Sequence, residues 1–176
     1  RVAVLDPLKL VIENLDDGEV IECEAPNHPQ KPELGRRRMP LTRELYIERE
    51  DFMAEPSKGF FRLQPGGRVR LKYGFVADYV SHTVGEDGQV SEVRVSLLKD
   101  SQSGTPGADN YKVKGVIHWV SASQAHWAEV RLFDRLFKVA APGARREGDT
   151  PETERDFKDD LNPASLTVVR VPMEPS

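Results

Sequence analysis

Cysteine is nearly absent. Cys23 stands alone among 176 residues, which excludes an internal disulfide framework and suits a reducing compartment. Its neighbours Glu22 and Glu24 disfavour the thiolate, so a half-buried, unreactive thiol is expected. No run approaches the ~20 apolar residues of a membrane span, and no signal-peptide pattern opens the sequence. A cytoplasmic location without a membrane partner is the expectation. A nucleophile elbow, a phosphate-cradling glycine loop and a metal-binding histidine motif are also missing. His28 sits in a proline-rich loop, while His82 and His126 have no Cys or His neighbour at ligand spacing. Neither catalytic residues nor a metal or cofactor are therefore expected in this chain. Amphipathic helix of three turns or more is lacking throughout, which leaves an all-β reading.

A large excess of positive charge is lacking too. Formal net charge is −4 with 31% charged residues, so any nucleic-acid site must be a local basic patch on an acidic protein. The length allows one ordinary domain or two small barrels. The chain opens with Arg1, not Met, and enters a strand-like run at once. A piece of a longer protein is expected.

Val2–Leu5 and Leu8–Glu13 read as strands broken by Asp6-Pro7, since proline cannot donate to a ladder. Val20–Glu24 is expected to pair with the second of these across Asp16-Asp17-Gly18. Pro26, Pro29, Pro32 and Gly35 make Ala25–Met39 read as an irregular loop. Leu45–Glu48 reads as a strand and Arg49–Met53 as at most one helical turn. Arg68–Lys72 and Phe75–Val84 follow, and Glu86-Asp87-Gly88 links the latter to Val90–Leu98 as the clearest hairpin signal. Ser101–Asn110 is loop-like, Pro142–Asp160 reads as a polar surface linker, and Leu166–Val171 is a last strand.

Between Ser57 and Lys72 lie Lys58, Arg62, Arg68, Arg70 and Lys72, with no acidic residue. Arg68, Arg70 and Lys72 alternate with Val69, Leu71 and Tyr73, which places the cations on one strand face and the apolar residues inside. Pro65-Gly66-Gly67 supplies a turn that lets Arg62 fold back towards that face. Phe60 and Phe61 are placed to stack on unpaired bases. A solvated strand face would carry the same pattern. Arg36 and Arg37 belong to a short basic run in the proline-rich loop, read either as solvated or as touching a nucleic-acid backbone.

Lys114–Phe137, KGVIHWVSASQAHWAEVRLFDRLF, holds two β-branched and aromatic runs, Val116–Val120 and Val130–Phe133. They read as adjacent strands joined by Ser121, Ala122 and Ser123. One of His118 and Trp119 must face inward. The wording IHWVSA…EVRLFDRLF, with AVLDPLKLVIEN, NHPQKPELGRRRMPLTRELYIEREDF and DLNPASL elsewhere, resembles the C-terminal anticodon-binding region of bacterial-type glutaminyl-tRNA synthetases. The resemblance runs from about Arg1 to Pro175.

It implies tandem β-barrels of ribosomal-protein type, the second incomplete here. Residues 8–139 would form the distal barrel, 1–7 and 161–176 part of the proximal barrel, and 140–160 a linker. It implies that Lys58, Arg62, Arg70 and Lys72 bind the anticodon, with Arg62 on the third base and Arg70 on the first. Arg68, Phe60, Phe61, Arg36 and Arg37 are further candidate contacts. Lys72 stands where arginine is usual, and Gly59 and Phe61 stand where bacterial members often carry glutamine and lysine. These departures fall on the part of the pattern that reads the middle base. One basic position of the pattern would precede Arg1, and the closing strands would follow Ser176.

The implied partners are the anticodon loop of glutamine tRNA and a catalytic domain of the same polypeptide, in a monomeric parent. That domain would use ATP with magnesium. The alternatives are the homologous region of an archaeal or eukaryotic-type glutamyl-tRNA synthetase, a stand-alone ribosomal-type RNA-binding barrel, and a protein-interaction β domain.

Overall fold

The computed structural model describes residues 1–146, 148–150 and 155–175. Residues 147 and 151–154 of the acidic stretch lie outside the described residues. The strands, in chain order, are β1 (Pro7–Ile12), β2 (Ile21–Pro26), β3 (Arg36–Leu41), β4 (Glu44–Glu48), β5 (Arg68–Leu71), β6 (Val76–Val84), β7 (Val90–Leu98), β8 (Val116–Ile117), β9 (Val120–Ser121), β10 (His126–Phe133) and β11 (Leu166–Met173). Helical structure among the described residues is confined to 3-10 turns of three to five residues. The fold is all-β, as the patterning predicts.

Two compact units divide the chain: residues 1–128 with 171–176, and residues 129–170. In the first, seven strands form one sheet in the order β8-β5-β6-β7-β1-β4-β9. The outermost strands, β8 and β9, are separated in sequence by His118 and Trp119 alone. Three Cα–Cα steps reach about 11 Å at most, so the two edges of the sheet come together and the sheet curls into a barrel-like form. Trp119 sits at this seam, 2% exposed, and its indole Nε1 donates to the Lys72 carbonyl at 2.9 Å. The Lys72 amide donates in turn to the carbonyl of Ile117 at 2.9 Å.

Alternation fills the inside of the curl. Leu8, Leu10 and Ile12 from β1, Leu45 and Ile47 from β4, Val69 and Leu71 from β5, and Val93 and Val95 from β7 are all buried. Residues two apart on a strand face the same way, and each such aliphatic contributes about 1.5–3 kcal/mol when fully buried. Hairpin β2–β3 adds Cys23, Ala25, Met39 and Leu41 to the same core. The β6–β7 hairpin forms as expected, with Gly88 in the left-handed region at φ 76°.

Several expectations need correction. Val2–Leu5 is no strand; it makes one bridge, Ala3 to Met173. β2 does not pair with β1, because both edges of β1 are occupied, by β4 antiparallel and by β7 parallel. β2 pairs with β3 instead. The proline-rich stretch is thus largely a hairpin, with Arg36, Arg37 and Arg38 in a strand and not in a loop. Pro26 and Pro40 are tolerated because a two-stranded sheet leaves outer edges where no N–H is needed. Val116–Val120 is split at the seam: β8 joins β5, β9 joins β4, and β10 pairs with β11.

In the second unit, the buried Asp160 carboxylate accepts from the Gly143 amide at 3.0 Å and pairs with Arg146. The amide bond and then the guanidinium hold Asp160 below the usual carboxylate range. Arg155 forks onto both oxygens of Asp149 at 2.8 and 2.9 Å. Phe137 and Phe157 meet edge to face at 6.4 Å between centroids.

Trp119→Ala is expected to cost about 3–5 kcal/mol, the range for emptying a large aromatic site. Trp119→Phe loses chiefly the bond to Lys72 and is expected to cost about 1–3 kcal/mol. Urea denaturation of the two variants checks the order. Cys23 is 1% exposed, so it is fully buried, and burial and then the charge of Glu22 push its thiol up to about 12. The unfolded thiol ionises near ~8.5. The folded chain therefore holds the proton longer, and this contribution to stability falls as pH rises above that value. A thiol reagent is expected to label Cys23 at the unfolding rate, and denaturation midpoints are expected to drop between about pH 8.5 and 10, less so in Cys23→Ala.

Candidate nucleic-acid interface

The basic strand β5 forms the floor of the candidate site. Its far edge bonds to the segment after Tyr111: the Arg70 amide donates to the Gly115 carbonyl at 2.9 Å. Val69 and Leu71 are fully buried while Arg68 stays exposed and Arg70 and Lys72 half-buried. The predicted facing of the strand holds. Tyr73 ends it at φ 63°, a conformation uncommon for a residue with a side chain.

One wall is the loop 54–62. Its base is closed by a bridge between Phe52 and Leu63 and by the Met53 and Leu63 amides, which donate to Leu63 and Asp51 carbonyls at 3.1 and 3.0 Å. Lys58 lies at the loop's tip beside Gly59, whose φ of 92° favours glycine there. Phe61 is 58% exposed. The other wall is Tyr111–Gly115, and it lies against the first: a Cβ on Gly115 would fall 2.1 Å from the Phe61 carbonyl oxygen. Only glycine fits this approach. Lys114 Nζ sits 4.9 Å above the Phe61 ring, within cation–π range.

Two clefts open on this floor. The larger, about 800 Å³, is lined by Arg70, Ser103, Asp109, Tyr111, Lys112 and Lys114 among others. The smaller, about 220 Å³, is lined by Phe60, Phe61, Arg62, Arg68, Lys112 and Lys114 among others.

The arginines are engaged within the protein. Arg62 pairs with the buried Asp51 and lies 3.3 Å from Glu50. Burial raises the Asp51 carboxyl and the guanidinium opposes that rise. Arg68 forks onto Asp78 at 2.5 and 2.8 Å and lies 5.7 Å over the Tyr111 ring. Arg70 donates to the carbonyls of Ser101 and Ala108 at 2.9 and 2.8 Å and to Ser103 Oγ at 3.3 Å. It thereby ties down the turn-rich loop 101–110. Lys72 sits 5.4 Å over Tyr73. On the exposed side of the seam, desolvation and then the charges of Lys72 and Arg62 hold His118 below the ordinary imidazole value. A neutral imidazole at pH 7 follows.

Lys58, Phe60, Phe61, Arg62, Arg68 and Arg70 thus belong to one region of the barrel, around β5, with Lys72 at its end. Arg36 and Arg37 belong to the β2–β3 hairpin. Arg36 bonds Glu24 at 3.0 Å, and Arg37 bonds the buried Glu174 at 2.8 Å and the Pro26 carbonyl at 2.6 Å. Lys112 and Lys114 line both clefts as well; in the sequence they show only as the Lys112-Val113-Lys114 alternation shortly before the Val116 run. No group of three or more His, Cys, Asp or Glu that could hold a metal ion occurs among the described residues.

Two family models match the chain, both described as tRNA synthetases class I (E and Q), anti-codon binding domain. One covers residues 1–98 and the other residues 116–176. The chain belongs to this anticodon-binding family. Similar relatives carry the name glutamine–tRNA ligase. That of Cupriavidus taiwanensis is 55% identical over 174 residues, 99% of this chain and 28% of that protein. That of Cupriavidus necator is also 55% identical over the same shares. The Nitrosomonas europaea ligase is 50% identical over 177 residues, all of this chain and 30% of that protein. The chain spans under a third of the length of the relatives it matches. In this anticodon-binding domain the resemblance seen in the IHWVSA…EVRLFDRLF wording is confirmed, and these relatives bear the glutamine name and not the glutamate one.

Arg70→Lys keeps the charge but loses the fork that spans Ser101 and Ala108. It is expected to destabilise the chain by about 1–3 kcal/mol. Amide exchange in residues 101–110 is expected to quicken while that of β7 is unchanged.

Proposed function

We propose that this chain is the anticodon-binding region of a glutamine–tRNA ligase. The observation that carries the proposal is the match of both family models, and the clefts bounded by β5, loop 54–62 and Tyr111–Gly115 support it. The partner is the anticodon loop of glutamine tRNA. A catalytic domain of the same polypeptide would attach glutamine using ATP with magnesium, in the cytoplasm and in a monomeric enzyme. Within this reading, residues 8–139 make up the distal barrel, 1–7 and 161–176 contribute to the proximal barrel, and 140–160 link them.

Recognition follows the single-strand mode: bases splay out, stack on apolar or aromatic surface, and are bonded on their edges. Lys58 at the loop tip is placed to meet the incoming strand. Phe61 offers an exposed ring. Arg62 and Arg70 are held rigid by Asp51 and by the 101–108 carbonyls, so little side-chain entropy remains to be lost when a base arrives. A wrong base leaves a buried donor without a partner, which costs about 1–3 kcal/mol. Arg68, Arg36 and Arg37 contribute to the field and to backbone contacts.

Titration of the chain with two anticodon stem-loops at fixed salt tests the proposal. A glutamine anticodon is expected to bind more tightly than a scrambled triplet. In the whole ligase, Arg62→Ala and Arg70→Ala are expected to lower kcat/KM for glutamine tRNA, with ATP–glutamine activation nearly intact. No measurable binding of either loop by a folded chain would refute the reading.

A further inference from the structure

We propose that Lys112 and Lys114 form the ridge over which the RNA strand passes, each neutralising a phosphate, and that they supply the groove's main electrostatic grip. This rests on the RNA-binding reading above and deepens it.

Charge accounting within the groove leads to them. Arg62 is met by Asp51 and Glu50, and Arg68 by Asp78. Arg70 is committed to three oxygens of the loop 101–108. Carboxylates answer the charge of Arg62 and Arg68, and Arg70, whose partners are neutral oxygens, keeps its charge but has donors committed to the loop, so these arginines shape the site more than they attract a polyanion. Lys112 and Lys114 form no ion pair among the described residues, and both are exposed. Val113 between them is half-buried.

Position decides between them and the other uncompensated lysines. Residues 112–114 line both clefts. A strand that places one base beside Arg70 and the next beside Phe61 and Arg62 must carry its backbone across this shared wall. Lys58 and Lys72 border neither cleft. Asp109 is the acidic member of the larger cleft, and the smaller one has none. A lysine suits the task because it acts as a mobile point charge towards phosphate, whereas base-edge reading needs a fixed fork. Gly115 fixes the ridge in place, since its backbone is pressed on the Phe61 carbonyl.

The test is a salt series with the 176-residue chain and the glutamine anticodon stem-loop, comparing wild type, Lys112→Gln/Lys114→Gln and a control, Lys31→Gln, in the β2–β3 loop. Each phosphate contact to a single strand contributes about 0.7 to the slope of log K against log salt. The double variant is expected to lose roughly 1.4 of slope and to bind about tenfold more weakly near 0.1 M salt. Its preference for the glutamine triplet over a scrambled one, and its urea midpoint, are expected to match wild type. The control is expected to change neither. A double variant with the wild-type slope, in a chain that binds the loop, would overturn the ridge alone. A wild-type chain that binds neither loop would overturn both this inference and the RNA-binding reading beneath it. An altered triplet preference with an unaltered slope would also overturn it, because base reading would then lie with the lysines.

Discussion

Closure of the seven-stranded sheet is the constraint on which the rest depends. The two edge strands share one short connection, so the curvature of the whole sheet is fixed by how His118 and Trp119 cross from β8 to β9. Trp119 answers two needs at once. Its ring fills the end of the core, and its single N–H satisfies the Lys72 carbonyl where β5 ends. Since backbone groups left unpaired in a dry interior are costly, the tryptophan makes the end of β5 and the turn at Tyr73 compatible with closure. His118, forced to the other side by alternation, then lies within the field of Lys72 and Arg62. Core and surface are set by the same two residues.

The candidate site shows how an acidic protein can present a basic groove. Its arginines are held by partners drawn from elsewhere in the chain: Asp51 from the 3-10 turn ahead of loop 54–62, Asp78 from β6, and the carbonyls of the 101–108 turn. The carboxylates lower the field of Arg62 and Arg68, and all of these bonds fix the geometry of the arginines. In the proposed reading, discrimination would rest with the rigid forks and attraction with the lysines that form no ion pair. Asp51 illustrates the cost of this arrangement. Burial alone would favour its neutral form, and it is Arg62 that keeps a carboxylate acceptable there.

Local patterns were legible where sequence neighbours become structural neighbours. The β6–β7 hairpin could be read because the acidic-glycine turn and the flanking alternation agree. The facing of Val69 and Leu71 against the β5 cations could be read for the same reason. Pairings at long range could not. Nothing near Ile21 indicates that both edges of β1 are already taken, and the prolines around Arg36 obscured a strand that tolerates them at an open edge. Split pairing at Val116–Val120 was hidden because a curled sheet places two edges beside one continuous apolar run. Arg62 and Arg70 were legible as members of one basic cluster, but Asp51 and the loop carbonyls that hold them are fixed by tertiary structure. The matching families extend that reading with a history of related chains, which single-sequence periodicity lacks.

The position of β1 also has a consequence in time. Among the strands described it comes before all the others, yet its parallel partner β7 lies about 80 residues further along the chain. At translation rates of roughly 5–20 residues per second, one edge of β1 waits about 4–16 s for its partner, and the seam at Trp119 arrives later still. Pairings this distant in sequence also slow folding after release. During that interval an apolar strand, PLKLVI, is exposed to other nascent chains. Lys9, in the middle of it, places a charge on its solvent face, a common device against edge-to-edge association. In the finished fold Lys9 bridges Glu44 and Glu92 from the two flanking strands, so the charge that keeps the early strand apart is neutralised by the strands it waits for.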